Sequence, residues 1–139
     1  MLVTGVLSCK KPVFENAMSL SDLLLYTNSG NVDCDESLLH ENETIEVYGW
    51  TYGITDELEY VGLFRLVDSE SEPQIRIDVF AKGDGKYDIS RKISKNKGDA
   101  EYVKIFIRAI IKSTEEEFDD GSCKNIVYLE IDDVSDILF

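Results

Sequence analysis

Apolar and polar residues alternate along five stretches of this chain. Residues 74–80 read Q-I-R-I-D-V-F and residues 102–111 read Y-V-K-I-F-I-R-A-I-I, so in both an apolar residue recurs at every second position. This is the period of a β-strand with one buried face. The pattern therefore predicts strands over 44–51, 58–67, 74–81, 102–113 and 125–131. It carries little information about chemistry.

The same alternation predicts which side of each strand faces the core. The outward face carries charged residues such as Arg76, Asp78, Lys104 and Arg108. Because successive side chains point to opposite faces, a shift of one residue would turn a strand inside out. The predicted core residues are Ile45, Val47, Val61, Leu63, Ile75, Ile77, Val79, Val103, Ile105, Ile107, Val127, Leu129 and Ile131.

Two segments outside these strands predict helices. Residues 19–26 read S-L-S-D-L-L-L-Y, in which Ser19 or Ser21 is a suitable N-cap. The N-S-G-N sequence at 28–31 ends this helix, because Asn and Gly tolerate the left-handed backbone conformation. Residues 82–100 contain three glycines and predict at most one short helix around 89–93.

The composition describes one acidic domain. The 139 residues include 28 acidic and 14 basic side chains, which gives a formal net charge of −14. A chain of this length can bury a core of its own. Its negative field keeps a protein soluble and repels phosphate backbones and anionic membranes, whereas surfaces that bind nucleic acid are usually basic. We therefore expect nucleic acid to be a poor partner.

The first cysteine allows two interpretations of the N-terminus. Residues 6–11 read V-L-S-C-K-K, and this resembles the end of a bacterial lipoprotein signal peptide, in which the cysteine, here Cys9, is lipidated. Residues 1–18 would then be a signal remnant or a flexible N-terminal segment. However, the M-L-V sequence at 1–3 leaves no room for the basic segment that normally opens such a signal. The alternative is a frayed strand with a buried or free thiol at Cys9, and both interpretations stay open.

The lipoprotein resemblance has a consequence for the two other cysteines. If Cys9 carries lipid, Cys34 and Cys123 remain as an even pair outside the cytoplasm, where two cysteines tend to form a disulfide. The protein would then belong to the cell envelope or periplasm, with the lipid anchor as its contact with the membrane. A Cys9 that is not a signal cysteine would instead indicate a cytoplasmic protein.

Several motifs together carry a family resemblance. They are S-L-S-D-L-L at 19–24, V-Y-G-W at 47–50, G-L-F-R-L-V-D at 62–68, V-K-I-F-I-R-A-I-I at 103–111 and I-x-x-V at 131–134. With them the chain resembles, over residues 19–137, the bacterial OB-fold lipoprotein and periplasmic proteins of the tRNA-anticodon-binding-like group. The resemblance implies an all-β (mainly) domain over 19–139, namely a five-stranded OB-like β-barrel with a short N-terminal helix.

An OB barrel binds ligands on the face of its second and third strands. On that face we predict a ligand-binding set of Tyr60, Phe64 and Arg65 from the second strand and Arg76 and Phe80 from the third. Aromatic rings with an arginine are what proteins use to bind single-stranded nucleic acid. The alternative is that these aromatic side chains only pack the sheet.

No motif in the sequence predicts catalysis. The chain has one histidine, no G-x-S-x-G sequence and no C-x-x-C spacing, so we expect no enzyme activity, no cofactor and no metal site. We expect a non-enzymatic binding module, with a protein, a peptide or a small ligand as its partner. One alternative is binding of single-stranded nucleic acid, which the acidic loop at 115–120 opposes. Another is a structural envelope lipoprotein, which requires a lipidated Cys9.

Overall fold

The computed structural model describes residues 14–53, 62–82 and 85–139. Most of its secondary structure is β, and a short helix precedes the first long strand, as predicted. The elements in chain order are helix α1 (Leu20–Thr27), strands β1 (Val32–Asp33), β2 (Thr44–Thr51), β3 (Leu63–Val67) and β4 (Arg76–Ala81), helix α2 (Lys86–Lys97), strands β5 (Val103–Glu117) and β6 (Cys123–Ile131), a 3-10 helix (Val134–Asp136) and strand β7 (Ile137–Leu138).

Within the described residues, seven strands form one hydrogen-bonded sheet. Their order is β1-β6-β4-β3-β2-β5-β7, and β5 also pairs with β6. Strands β2 to β6 therefore each have a paired neighbour on both sides. The β4–β6 pair is parallel, whereas β2–β3, β3–β4, β2–β5 and β5–β6 are antiparallel. The two-residue strands β1 and β7 were not predicted, because two residues are too few to show an alternation.

The predicted inward faces of β2, β4, β5 and β6 are correct. The buried residues on these strands that were predicted as core are Ile45, Val47, Ile77, Val79, Ile105, Ile107, Val127, Leu129 and Ile131. Ile75 and Val103 are partly buried and pack against this core. Val61, also predicted as core, lies outside the described residues. The inward faces of these strands thus form one buried cluster, to which Leu20 and Leu23 of α1 and Ile89 and Ile93 of α2 also belong.

The predicted phase of β3 is wrong. Phe64 and Leu66 are fully buried, whereas Leu63, which was predicted as core, is only half-buried. Residues two apart on a strand share a face, so Leu63 and Arg65 must lie on the same side. Burying the Arg65 guanidinium would cost far more than exposing part of one leucine. Phe64 therefore points into the core and cannot belong to a ligand-binding surface.

Helix α1 begins and ends where its sequence predicts. Ser19 caps α1, accepting a hydrogen bond on its hydroxyl from the backbone N–H of Asp22 at 3.1 Å, and Asn28 ends it in the left-handed conformation. Helix α2 is longer than the predicted 89–93 segment and runs to the residue before Gly98, whose φ is +56°. Its few apolar residues are enough to hold the helix on the sheet, because Ile89 and Ile93 lie four residues apart and both enter the core.

The β5–β6 hairpin extends well beyond the core. Strand β5 continues four residues past the predicted end at 113, to Glu117, and pairs there with Cys123, the first residue of β6. Cys34 and Cys123 form a disulfide with their Cα atoms 5.4 Å apart. This bond fastens the hairpin to the segment after β1, which pairs with β6 at Val32.

The chain joins the sheet before α1 begins. The backbone N–H of Met18 donates to the Glu46 carbonyl at 2.9 Å, and the Met18 carbonyl accepts from Tyr48 N–H at 3.0 Å. Phe14 is buried, and the Arg108 guanidinium lies 4.7 Å from the centre of its ring. Within the described residues, contact with the sheet therefore begins at Phe14 on β5 and Met18 on β2. Cys9 lies outside the described residues.

Candidate functional site

A hollow of about 350 Å³ lies on the outer side of β3, β4, β5 and β6. Leu63 pairs with Phe80, and Phe80 pairs with Glu130, so three neighbouring strands contribute side chains in one row. Phe80 is 37% exposed, which is unusual for a large aromatic side chain in the middle of a sheet. The hollow is lined by Leu63, Asp78, Phe80, Thr114, Tyr128 and Glu130.

Two carboxylates of this hollow are each held by a cation. Arg65 Nε donates to Asp78 Oδ1 at 3.1 Å, and Lys82 Nζ lies 3.1 Å from Glu130 Oε1 and 3.8 Å from Asp132 Oδ1. Glu130 and, to a smaller extent, Asp132 raise the pKa of Lys82, because both stabilise its charged form. The hollow thus combines apolar walls with a few oriented polar groups, the usual composition of a ligand site.

The structure divides the predicted ligand-binding residues. Phe80 lines the hollow, and Arg65 is bound to Asp78, which also lines it. Arg76 is exposed on β4, the strand of Phe80, but does not line the hollow. Phe64 is in the core, as described above, and Tyr60 lies outside the described residues.

A second surface, the aromatic ladder, lies on the outer side of β2 and β5 and consists of Tyr48, Trp50, Lys104 and Phe106. Tyr48 pairs with Phe106 across the strands, and Trp50 pairs with Lys104. The ring centroids are 5.9 Å apart for Tyr48 and Phe106 and 6.4 Å apart for Tyr48 and Trp50. Lys104 Nζ lies 4.9 to 5.4 Å from the centres of all three rings, within the range of cation–π attraction.

The sequence analysis missed the aromatic ladder, although a signal for it was present. Tyr48, Trp50 and Tyr52 occupy every second position, opposite the buried face of β2. The V-Y-G-W motif supported only the prediction of the fold. The predicted ligand-binding residues all came from the second and third predicted strands, whereas this motif lies on the first. Beyond the ladder, the rings of Tyr52 and Tyr102 meet edge to face at 6.2 Å.

A polar cluster connects α1 to the start of β2. The Tyr26 hydroxyl donates to Glu43 Oε1 at 2.5 Å, and His40 Nδ1 lies 2.8 Å from Glu43 Oε2. The Tyr26 and His40 rings stack with centroids 3.8 Å apart. The Tyr26 hydroxyl and, less strongly, the His40 ring hold the pKa of Glu43 below its usual value, and the bond to Glu43 raises the pKa of Tyr26. Since Tyr26 and His40 both hydrogen-bond to Glu43 and stack on each other, the cluster acts as a clamp between the helix and the sheet.

Two groups of described side chains could offer ligands to a metal ion, namely Cys34, Glu115 and Cys123, and Asp33, Asp35 and Glu36. In the first group both sulfur atoms belong to the disulfide, so neither is a thiolate ligand. The second consists of exposed carboxylates on one loop, and such clusters are common in an acidic chain without any ion. Neither group supports the assignment of a metal site.

In comparisons with known proteins, no protein-family model and no curated protein matches this chain. Among the described residues, no helix is long and apolar enough to cross a membrane.

Proposed function

We propose that the domain is an OB-like five-stranded barrel. The support is the ring of pairings β2–β3–β4–β6–β5–β2, which leaves each of the five strands with a neighbour on both sides. Closing a sheet in this way removes the open edges at which strands of other chains could pair. The resemblance to the OB-fold lipoprotein and periplasmic proteins leads to the same fold, and that family assignment stays a prediction.

We further propose that the protein is a non-enzymatic binding module that takes a peptide or a protein segment in the hollow. The observation that carries this proposal is the apolar wall of the hollow, formed by the exposed Phe80 with the half-buried Leu63 and Tyr128, on the face that OB barrels use for ligands. A hollow of about 350 Å³ is large enough for one or two side chains and belongs to the size range of ligand pockets.

The charge of the chain favours a cationic segment. Arg65 and Lys82 already pair with the carboxylates of Asp78 and Glu130 in the hollow, so the attraction comes from the net charge of −14 of the whole chain. Such a field accelerates the approach of a cationic partner and opposes an anionic one. A side chain with an apolar stem and a charged end, such as lysine or arginine, could cover Phe80 and place its charge beside the two carboxylates.

NMR titration with short peptides tests this proposal. Three peptides of equal length and apolar content would be used, one rich in lysine, one rich in glutamate and one neutral. We expect the lysine peptide to shift the backbone amides of Phe80, Thr114 and Tyr128, and the Phe80→Ala variant to bind it about tenfold more weakly.

The matched control is Leu25→Ala, which removes an apolar side chain that is 79% exposed on α1 and should leave the affinity unchanged. The proposal would be abandoned if none of the peptides shifted these amides, or if the glutamate peptide bound more tightly than the lysine peptide.

The aromatic ladder favours a second candidate function, the binding of single-stranded nucleic acid. Its three rings could stack bases, and Lys104 could approach a phosphate. Trp50 is the only tryptophan of the chain, so its fluorescence reports directly on this surface. Oligothymidylate should quench it at low salt, with an affinity that falls steeply as salt is added. Tyr48→Ala should weaken the quenching, and Tyr87→Ala, on α2, should not. Unchanged fluorescence would remove this candidate.

We propose the cell envelope as the location, on the strength of the Cys34–Cys123 disulfide. Such bonds persist in oxidising compartments and are rare in the cytosol. Thiol titration of the unfolded, unreduced protein from its native host should find both cysteines blocked, and two additional free thiols would contradict the location. Mass spectrometry of the mature N-terminus tests separately whether Cys9 carries lipid, which the structural-lipoprotein alternative requires.

A further inference from the structure

Charge is segregated between two parts of this molecule. Helix α2 has five basic residues and one acidic residue among its 12, a net charge of +4. Because the whole chain carries −14, the residues outside this helix carry −18. Residues 115–120, E-E-E-F-D-D, carry five carboxylates and no cation. We call this segment the acidic tip.

The aromatic ladder and α2 border one another and form a basic aromatic face. Phe106 of the ladder pairs with Leu138 of β7, which extends the apolar surface by one strand. Lys92 of α2 donates to the Ile137 carbonyl at 3.0 Å, so the basic helix lies against this strand. The basic aromatic face therefore comprises the ladder and Leu138, with Lys92 of α2 at its border.

Lys104 is the cation at the centre of this face. Among the described residues it has no carboxylate within ion-pair distance, whereas Arg65, Arg108 and Lys124 each have one. Its charge is therefore not balanced by a carboxylate of the described residues. Because its ammonium lies over three aromatic rings, the face offers a positive charge and an apolar surface together.

The acidic tip has the complementary chemistry on a preformed hairpin. Phe118 is 42% exposed between the carboxylates. Its backbone N–H donates to the Ser122 carbonyl at 2.9 Å, which closes the turn. The disulfide from Cys123 to Cys34 fixes the base of the hairpin. The tip therefore presents an aromatic ring and five negative charges without having to fold when it binds.

The tip and the face of one molecule cannot meet. Lys104 and Glu115 belong to the same strand, β5, and lie eleven residues apart in it. At about 3.3 Å per residue the two are separated by roughly 36 Å along the strand. Contact between these surfaces therefore requires two copies of the chain.

We propose that the acidic tip of one copy docks on the basic aromatic face of a second copy. Phe118 packs on the rings of Tyr48 and Phe106, and the flanking carboxylates pair with Lys104 and with Lys92 of α2. Each copy has one tip and one face, so the contact is heterologous and propagates into short chains or closes into a ring. Because ion pairs at the rim contribute to the attraction, added salt weakens it.

Sedimentation velocity over a concentration series tests the proposal on the disulfide-bonded, full-length protein. At low ionic strength we expect the weight-average mass to rise with concentration, and at high ionic strength to fall towards that of the monomer. The fluorescence of Trp50 should change over the same concentration range. A protein that stays monomeric at every concentration and at both ionic strengths would overturn the proposal.

Two variants with different defects provide the decisive experiment. Lys104→Glu damages the face and leaves the tip intact, whereas Phe118→Ala with Asp119→Lys damages the tip and leaves the face intact. Each should associate at least about tenfold more weakly by itself, the loss expected for a truncated aromatic anchor and a reversed charge. Mixed together, the two variants should form dimers that grow no further, since each contributes the one surface that the other lacks.

Matched controls separate this result from changes in charge or stability. Glu72→Lys, in the loop between β3 and β4, raises the net charge by the same two units as Asp119→Lys and should associate at least as well as the wild type. Every variant should keep the wild-type circular dichroism. Mixtures that remain monomeric would overturn the proposal. The proposal would also be overturned if the protein stayed monomeric and a single-stranded oligonucleotide quenched the fluorescence of Trp50. Nucleic acid would then be the occupant of the face.

Discussion

The two halves of strand β5 are held in place by different forces. Over residues 103–111 buried and outward positions alternate, and Ile105, Ile107 and Ile111 are completely shielded from solvent. Over 114–117 every residue is exposed, and the strand is held by its hydrogen bonds to β6 and by the nearby disulfide. A continuous strand can thus leave the core, provided that a neighbouring strand and a covalent bond replace the packing.

This difference also separates two kinds of surface. The packed half fixes Lys104 and Phe106 on a rigid sheet, so the aromatic ladder has little freedom to rearrange. The exposed half presents charged side chains whose arrangement depends on the hairpin and on Cys123. The comparison predicts that mutations in the packed half affect global stability, whereas those in the exposed half affect mainly local order and association.

The largest expected effect comes from truncating the packed half. Ile105→Ala should lower the free energy of unfolding by about 2–5 kcal/mol, because it removes three buried carbon atoms and leaves a cavity. Urea unfolding followed by circular dichroism measures the loss. Ile110→Ala, five residues along the same strand and only half-buried, is the control and should cost less. Equal losses for the two variants would contradict the described burial of β5.

Removing the disulfide beside the exposed half should have the next largest effect on the free energy of unfolding. Replacing Cys34 and Cys123 by serine should cost about 2–4 kcal/mol, since the bond closes a loop of sequence separation 89 and restricts the unfolded chain. Hydrogen exchange should show that the amides of 115–117 lose protection before those of 105–107. Simultaneous loss of protection in both segments would show that the two halves of the strand are not distinct.

The same comparison explains how much of the fold could be predicted from the sequence. Where one face of a strand is apolar and the other is charged, as in β4 and the packed half of β5, the alternation correctly predicted which residues face the core. In β3 both faces carry apolar residues, and only Arg65 distinguishes them. The prediction of Leu63 as a core residue was wrong because it would also have placed that arginine inside, at a high cost.

The exposed elements were harder to predict because their stability does not come from an apolar face. The end of β5 contains three successive glutamates, and α2 has few apolar residues. Both depend on partners distant in sequence, which are β6 for the strand and the core for Ile89 and Ile93 of the helix. Of the residues predicted to bind a ligand, Phe80 lines the hollow and Arg65 pairs with Asp78 in its wall. Tyr128 and Glu130 reach the hollow through the β4–β6 pairing, which no local pattern indicates.

The turn between β3 and β4 is a second region held by polar contacts, and it should show a smaller effect. Asp68 Oδ1 accepts hydrogen bonds from the backbone N–H groups of Gln74 at 2.8 Å and Ile75 at 3.0 Å. Asp68→Ala should cost about 1–2 kcal/mol at neutral pH, because two donors lose a charged acceptor.

The stabilisation by Asp68 should depend on pH. The N–H groups of Ile75 and then Gln74 hold the pKa of Asp68 below its usual value. A carboxylate with a lowered pKa stabilises the fold above its unfolded pKa, and this contribution is lost as the pH falls through the folded value. Urea unfolding should therefore show that the difference between wild type and Asp68→Ala shrinks in acid. A difference that is constant with pH would contradict the role of the charge.

The smallest effect is expected at the clamp between α1 and β2, where the groups are exposed and neither a core nor a disulfide contributes. The hydroxyl of Tyr26, more than the ring of His40, holds the pKa of Glu43 below its usual value. Tyr26→Phe keeps the stacked ring and removes only the hydroxyl, so the pKa of Glu43 should rise towards its ordinary value. Carbon-13 NMR titration of the Glu43 carboxyl group measures this directly.

His40→Gln is the matched control and should raise the pKa less, since it removes the weaker of the two influences. A larger rise in His40→Gln than in Tyr26→Phe would reverse the assignment. The histidine would then be the main partner of Glu43, and the tyrosine would contribute to the clamp chiefly through its stacking.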